Sequence, residues 1–357
     1  MNLRYSLGIP VIAALAVVGW LAFRAEPAVE EGKSAVAKAA QKSTSGAASG
    51  VRGAPAGAPP AVAVARAPAA PPRMPTVFDE FLKAAQYRAL YDRLRNSAEG
   101  ETAEGRLVLW EILRNCATVT QGRRYSYRPP VPKREDFIAG LGAADPMREQ
   151  RIAAYDSFVT NRCQGFEGVA IPQAELDKLL ASSAAAGDPR ARALSLEQEL
   201  WIARRSQGRD NVVLTDNHID TLKQLLATKD PEAIRVAGRV MANSWSDTSI
   251  RLGPDGQPVE QRPFMNAWLV VACEYGQPCG TDTPRMQQAC AMQGHCNAQT
   301  YPDYLYYYAS SPHESQLLAQ YRSVLRAAID TGDWSQLSIL RGLPNPPGRI
   351  TFVPGPR

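Results

Sequence analysis

The chain has 357 residues, 45% of them hydrophobic, with a formal net charge of +5 and six cysteines. That length and composition fit one large globular domain or two small ones. The positive charge is weak and spread out, which excludes the basic footprint of a nucleic-acid binder; much of it sits at Lys33, Lys38, Lys42, Arg52, Arg66 and Arg73 in one N-terminal stretch.

Arg4 precedes an apolar run of eighteen residues, Ser6 to Phe23. That is at the short end for a membrane span and long for the apolar core of a cleaved signal peptide. Phe23 and Arg24 stand where a cleavage site needs small residues. The run therefore predicts an uncleaved membrane anchor over residues 1–24, with a signal peptide as the alternative. Arg4 lies on one side of it, while Arg24 on the other is offset by Glu26, Glu30 and Glu31. The positive-inside tendency then places the bulk of the chain outside the cytoplasm. No Asn-X-Ser/Thr sequon occurs, which leans towards a bacterial periplasm. The expected location is the bacterial inner membrane, single-pass, with the C-terminal domain in the periplasm.

Residues 25–75 contain no aromatic side chain and are rich in Ala, Pro and Gly. They cannot bury enough surface to offset their ordering entropy and read as a disordered linker. Such a linker spans about 40 Å as a flexible coil and about 150 Å when extended.

A helical domain is predicted over residues 76–342. Thr76 and Asp79 form an N-terminal capping pattern, after which Phe78, Phe81, Leu82, Ala85 and Ala89 recur at helical spacing. A second helix is expected from about Thr102 to Cys116, with Leu107, Trp110 and Leu113 on one face. No alternating strand pattern stands out; the tail 343–357 alone, with RITFVPGP, could be extended.

Asp-Pro recurs at Asp145-Pro146, Asp188-Pro189 and Asp230-Pro231, with spacings of 43 and 42 residues. Asp accepts the free amides of a helix start, and Pro at the first helical position lacks only a donor that would be unpaired anyway. Each dipeptide is expected to open a helix followed by a return helix, Leu179-Leu180 and Leu225-Leu226 marking two of the returns. This predicts an all-α fold of stacked helical hairpins, an α-solenoid-like array of two-helix repeats of about 42 residues. The segment AAAGDPRARALSLEQELWIARRSQGRD, with a weaker echo at ATKDPEAIRVAGRV, resembles the helix–loop–helix junction of Sel1-like repeats, relatives of tetratricopeptide repeats. The period here is longer, and the glycines of that family's first helix are missing. The resemblance implies helical-hairpin stacking and a role in binding or scaffolding other proteins.

Residues 251–263 read as a turn-rich loop. Thr283-Pro284 and Ser311-Pro312 then start helices, the second with a capping box to Glu314 and an end at Gly332.

Six cysteines in an exported domain predict disulfides. Cys116 and Cys163 each fall at the end of a predicted helix and are expected to pair. Cys273 and Cys279, like Cys290 and Cys296, have five residues between them, one a Gly suited to a left-handed helix cap. Two local staples are the leading connectivity of the three that four cysteines allow. Zinc fits such spacing poorly, so no metal and no other cofactor is expected.

Two surfaces suggest binding. The loop 122–136 gathers Arg123, Arg124, Arg128, Lys133 and Arg134 with Tyr125 and Tyr127, side chains that grip anionic or sugar-containing polymers or a protein. In YPDYLYYYASSP, one helical face takes Tyr301, Tyr304, Leu305 and Tyr308 inward; Tyr306 and Tyr307 cannot share that face, and at least one of them is expected at a surface. His218, His295 and His313 read as helix-end or surface residues, and no HExxH, GxSxG, SxxK or phosphate-binding glycine loop occurs. The expected function is binding or scaffolding of another envelope component, a protein or peptidoglycan, with a cell-wall enzyme using a carboxylate acid catalyst as the alternative.

Overall fold

The computed structural model describes residues 76–120, 132–208, 211–246, 248–253 and 256–341. The anchor 1–24, the linker 25–75, the loop residues 121–131 and the tail 343–357 lie outside the described residues. Among the described residues, no helix is long and apolar enough to cross a membrane.

Helix α1 (Val77–Lys83) opens on the expected capping box, with Thr76 Oγ1 accepting the Asp79 amide at 3.3 Å and the Asp79 carboxylate accepting the Thr76 amide at 3.0 Å. The periodicity through Ala89 predicts one continuous helix, but the chain turns extended at Ala84 and restarts as α2 (Tyr87–Arg95). Tertiary contacts replace the helical ones at this break: the Tyr87 amide donates to the Arg162 carbonyl at 2.8 Å, and the Phe81 and Tyr87 rings stack at 5.1 Å. At Gly100 the chain passes so close to α2 that a Cβ would lie 1.9 Å from the Leu94 carbonyl oxygen, so only glycine fits.

Helix α3 (Ala103–Thr120) is apolar almost all round, as a core helix must be: Leu107, Val108 and Ile112 are fully buried. The disulfide Cys116–Cys163 ties its end to the segment beyond α5, as the sequence predicts. The short helix α4 (Arg134–Ala139) and α5 (Arg148–Tyr155) follow, α5 running on into a π-helical turn over Asp156–Asn161.

The three Asp-Pro sites divide. Asp188 and Asp230 cap α7 (Pro189–Gln207) and α9 (Pro231–Ala242), each accepting two amides. Asp145 instead accepts the Met147 amide at 2.8 Å and pairs with Arg151 at 2.6 Å, so α5 starts only at Arg148. Arg151 also donates to the Ala291 carbonyl, which draws α5 onto the distant helix that carries Ala291. Between α5 and α7, α6 (Gln173–Ala185) packs on α3 and α7. Helix α8 (Asp216–Ala227) joins α7 to α9.

Helices α7 and α9 lie side by side, with Arg239 pairing to Glu197, 42 positions earlier. Arg190 ties the two starts to α3: it bonds Asp188 at 2.7 Å and Glu104 at 2.9 Å and stands 4.0 Å from Asp230. Helix α9 is buried on nearly every side. At Gly238 a Cβ would sit 2.4 Å from Trp268, so the indole of α10 (Gln261–Glu274) packs directly on the backbone of α9. Helices α11 (Pro284–Gln293), α12 (Tyr301–Asp303) and α13 (Pro312–Thr331) follow, α12 passing into a second π-helical turn, Tyr304–Tyr308. The Ser311–Glu314 capping box and the left-handed Gly332 at φ 75° bound α13 as expected.

The all-α expectation needs one correction. Strand β1 (Thr248–Leu252) pairs antiparallel with β2 (Leu337–Arg341), from Thr248 opposite Arg341 to Leu252 opposite Leu337. Burial along β1 falls from one end to the other instead of alternating, because Thr248 and Ser249 are enclosed along with Ile250. Five residues with no period of two leave no strand signature.

Candidate binding surface

The tyrosine segment is held mainly through its backbone. The Tyr301 amide donates to the Cys279 carbonyl at 2.8 Å, beside the Cys273–Cys279 disulfide at the end of α10. Thr300 Oγ1 caps α12 by accepting the Asp303 amide. Ser315 donates to the Tyr306 carbonyl at 2.9 Å and Arg262 to the Ala309 carbonyl at 2.5 Å. The Ala309 amide reaches the Tyr304 carbonyl at 2.9 Å, a five-residue step.

That step rearranges the side chains. Tyr304 and Leu305 are buried as the sequence predicts, but Tyr306 turns inward to pack with them and Tyr308 turns outward. In a π-helix residues five apart share a face, which aligns Tyr306 with Tyr301 and moves Tyr308 off the buried side. Burial pushes the Tyr306 phenol up to about 12. Tyr307 is 78% exposed and Tyr308 45%, and they are two of the four exposed large hydrophobic side chains among the described residues. Of the predicted pair, Tyr307 is therefore at the surface and Tyr306 is half-buried. The other candidates, Arg123, Arg124, Tyr125, Tyr127 and Arg128, lie outside the described residues, while the loop expected to run to 136 gives way to α4 at Arg134, which pairs with Asp156 at 2.6 Å.

A second staple completes the surface. The disulfide Cys290–Cys296 closes the turn after α11, with Gly294 left-handed at φ 78°. It presents the His295 ring 5.3 Å from Tyr308 and 5.6 Å from Tyr304, while Tyr304 hydrogen-bonds Gln293. Both local pairings follow the sequence expectation; the role of His295 in the aromatic cluster does not. The other histidines sit at helix starts, His218 in the capping box of α8 and His313 against Glu260 at 2.9 Å.

Buried charge forms a separate feature. Glu111 on α3 and Glu232 on α9 are each 4% exposed. Burial raises both carboxyl pKa values, and for Glu111 the nearby Glu232 adds to the effect. Both are held by arginines: Glu111 by Arg114 at 2.7 Å, and Glu232 by Arg235, itself buried. Arg114 also covers the Trp110 ring at 4.4 Å. Glu111 carried a legible signal, a lone acid in the apolar run LVLWEIL. Glu232 did not, since an acid in the first turn after Asp-Pro reads as a solvated partner of the helix dipole.

Among the described residues no cluster of His, Cys, Asp and Glu could hold a metal ion. Compared with known family models, curated proteins and solved structures, the chain matches none.

Proposed function

We propose that this chain is a periplasmic binding module, tethered to the bacterial inner membrane through residues 1–24 and the linker, whose helical domain binds or scaffolds another component of the cell envelope. A protein is the first candidate for that component and peptidoglycan the second. Three disulfides suit an oxidising compartment. The adjacent, equivalently capped helices α7 and α9 support the stacked-hairpin reading from Asp188 onwards.

The observation that carries this function is the contrast between the two features of the site. The buried acids Glu111 and Glu232 are engaged by arginines. Tyr307 and Tyr308 stand outside the core on a turn fixed by backbone bonds and staples. Rigid exposed tyrosines supply contact area at low entropic cost, as at interface hot spots.

Cross-linking in cells with the full chain tests this. One dominant envelope species, lost on Tyr307→Ser with Tyr308→Ser or on replacement of Arg123, Arg124 and Tyr125 by Ala, is the expected result. No captured species with the wild-type chain would refute it. The alternative, a carboxylate acid catalyst, would draw on Glu111 or Glu232, whose raised pKa suits such an acid, but both are buried against arginines. Hydrolysis of wall glycan by the purified chain, abolished by Glu232→Gln, would establish the enzyme instead.

A further inference from the structure

The aromatic surface borders a groove. Between α5 and α11, behind His295, lies a space of about 240 Å3. It is lined by Ala153, Ala154 and Ser157 on one side, by Met286 and Gln287 on the other, and by the Cys290–Cys296 disulfide at its end. No Asp, Glu, Lys or Arg lines it, although the chain is 21% charged. The volume is below the ~300–1,000 Å3 of sites for drug-sized ligands, so it suits one small ring or substituent.

One π-helical turn lines this groove, and the other stands behind a lining residue. Ser157 belongs to the first, and His295 on the rim lies against Tyr304 and Tyr308 of the second. Such turns are rare, interrupt the regular hydrogen-bond ladder and occur frequently at functional sites. Within the wall, Gln287 has its Oε1 buried without a hydrogen-bond partner. A buried acceptor in that state favours an occupant that brings a donor, reached by a turn of the Gln287 side chain towards the groove.

We infer that the groove is a subsite for an uncharged acetamido sugar, one ring of an N-acetylated glycan strand. The neutral lining rejects charged groups, whose desolvation nothing there would offset. An acetamido group matches the wall chemically: its methyl meets Ala153, Ala154 and Met286, and its N–H supplies the donor that Gln287 lacks. The neighbouring ring of the strand lies across His295 and Tyr308, whose electron-rich faces attract the polarised C–H face of a sugar. This deepens the binding-module reading and rests on it.

The probe is the tetrasaccharide of N-acetylglucosamine, titrated by calorimetry into the purified full chain in detergent, with maltotetraose as the neutral glycan lacking acetamido groups. Saturable binding of the first and none of the second is expected. Ala154→Trp, which fills the groove from α5, should weaken binding roughly tenfold or more. Gln287→Leu preserves volume and should lose the preference for the acetamido sugar, so the test stands even if Ala154→Trp fails to fold. No saturable binding, equal binding of the two glycans, or binding indifferent to both substitutions in folded protein overturns the inference. If an envelope protein is still captured through Tyr307 while the glycan does not bind, the binding-module reading survives and this subsite falls.

Discussion

Helix α9 and the tyrosine turn are ordered by opposite means. Helix α9 is enclosed by α7, α8 and α10, and its position follows from burial: Ile234, Val236 and Ala237 are fully buried, and Trp268 lies on Gly238. The turn at Tyr304–Tyr308 keeps two rings in water, so burial cannot fix it alone. Its Tyr306 carbonyl is held by Ser315, its exit at Ala309 by Arg262, its lead-in by the Cys279 carbonyl, and its neighbour His295 by a disulfide. A surface that must stay exposed and still keep one shape needs covalent and backbone restraints in place of a core.

The largest test of this contrast is Trp268→Ala, which opens a cavity against α9. It should cost about 3–5 kcal/mol in denaturant unfolding. A cost below about 1 kcal/mol would mean that α9 is not held by packing. Replacing Cys290 and Cys296 by Ser removes a loop closed across six positions. The chain-entropy relation gives about 2 kcal/mol, against about 4 kcal/mol for Cys116 and Cys163. Protease sensitivity should appear around His295 before the rest of the domain opens. Uniform sensitivity would show that the staple serves the whole fold.

The pH profile sharpens the same comparison. Burial raises the Glu111 and Glu232 carboxyls in the folded state. Their contribution is therefore greatest at low pH and is lost as pH rises from the ordinary glutamate value, about 4.3, through the raised folded values. Glu111→Gln should flatten that decline, seen as melting temperature against pH. Asp145, Asp156 and Glu314 act in the opposite sense: amides and arginines hold their carboxyls low, so their stabilisation is lost as pH falls through the lowered values. A decline unchanged by Glu111→Gln would assign it elsewhere. Tyr307→Ser should be smallest, within about 0.5 kcal/mol in stability, yet it should remove capture of the partner.

The helices were legible where one residue type has one local job. Thr76, Ser311, Asp188, Asp230 and Gly332 perform the capping roles their chemistry dictates, and the three cysteine pairs follow from helix ends and spacing. Most of the failures share a physical origin, a distant contact that outweighs a local rule. Arg151 reaching Ala291 delays the helix after Asp145, and Arg162 receiving the Tyr87 amide splits the first helix. Tyr308 escaped because helical periodicity assumes four-residue hydrogen bonds, and the chain there takes five. Strands β1 and β2 escaped because their pairing joins residues 248 and 341, and neither says anything about the other locally.

That pairing also bears on the order in which the protein can be made. Synthesis delivers the N-terminal elements first, so β1 emerges with Ile250 unprotected and waits while α10 to α13 are still being built. The ribbon closes only when Leu337 arrives, and long-range closures of this kind are slow. Until then the nascent domain presents an apolar edge of the kind that binds holding chaperones. Chains halted before Leu337 should be cleared or should aggregate, even though every described helix is already present.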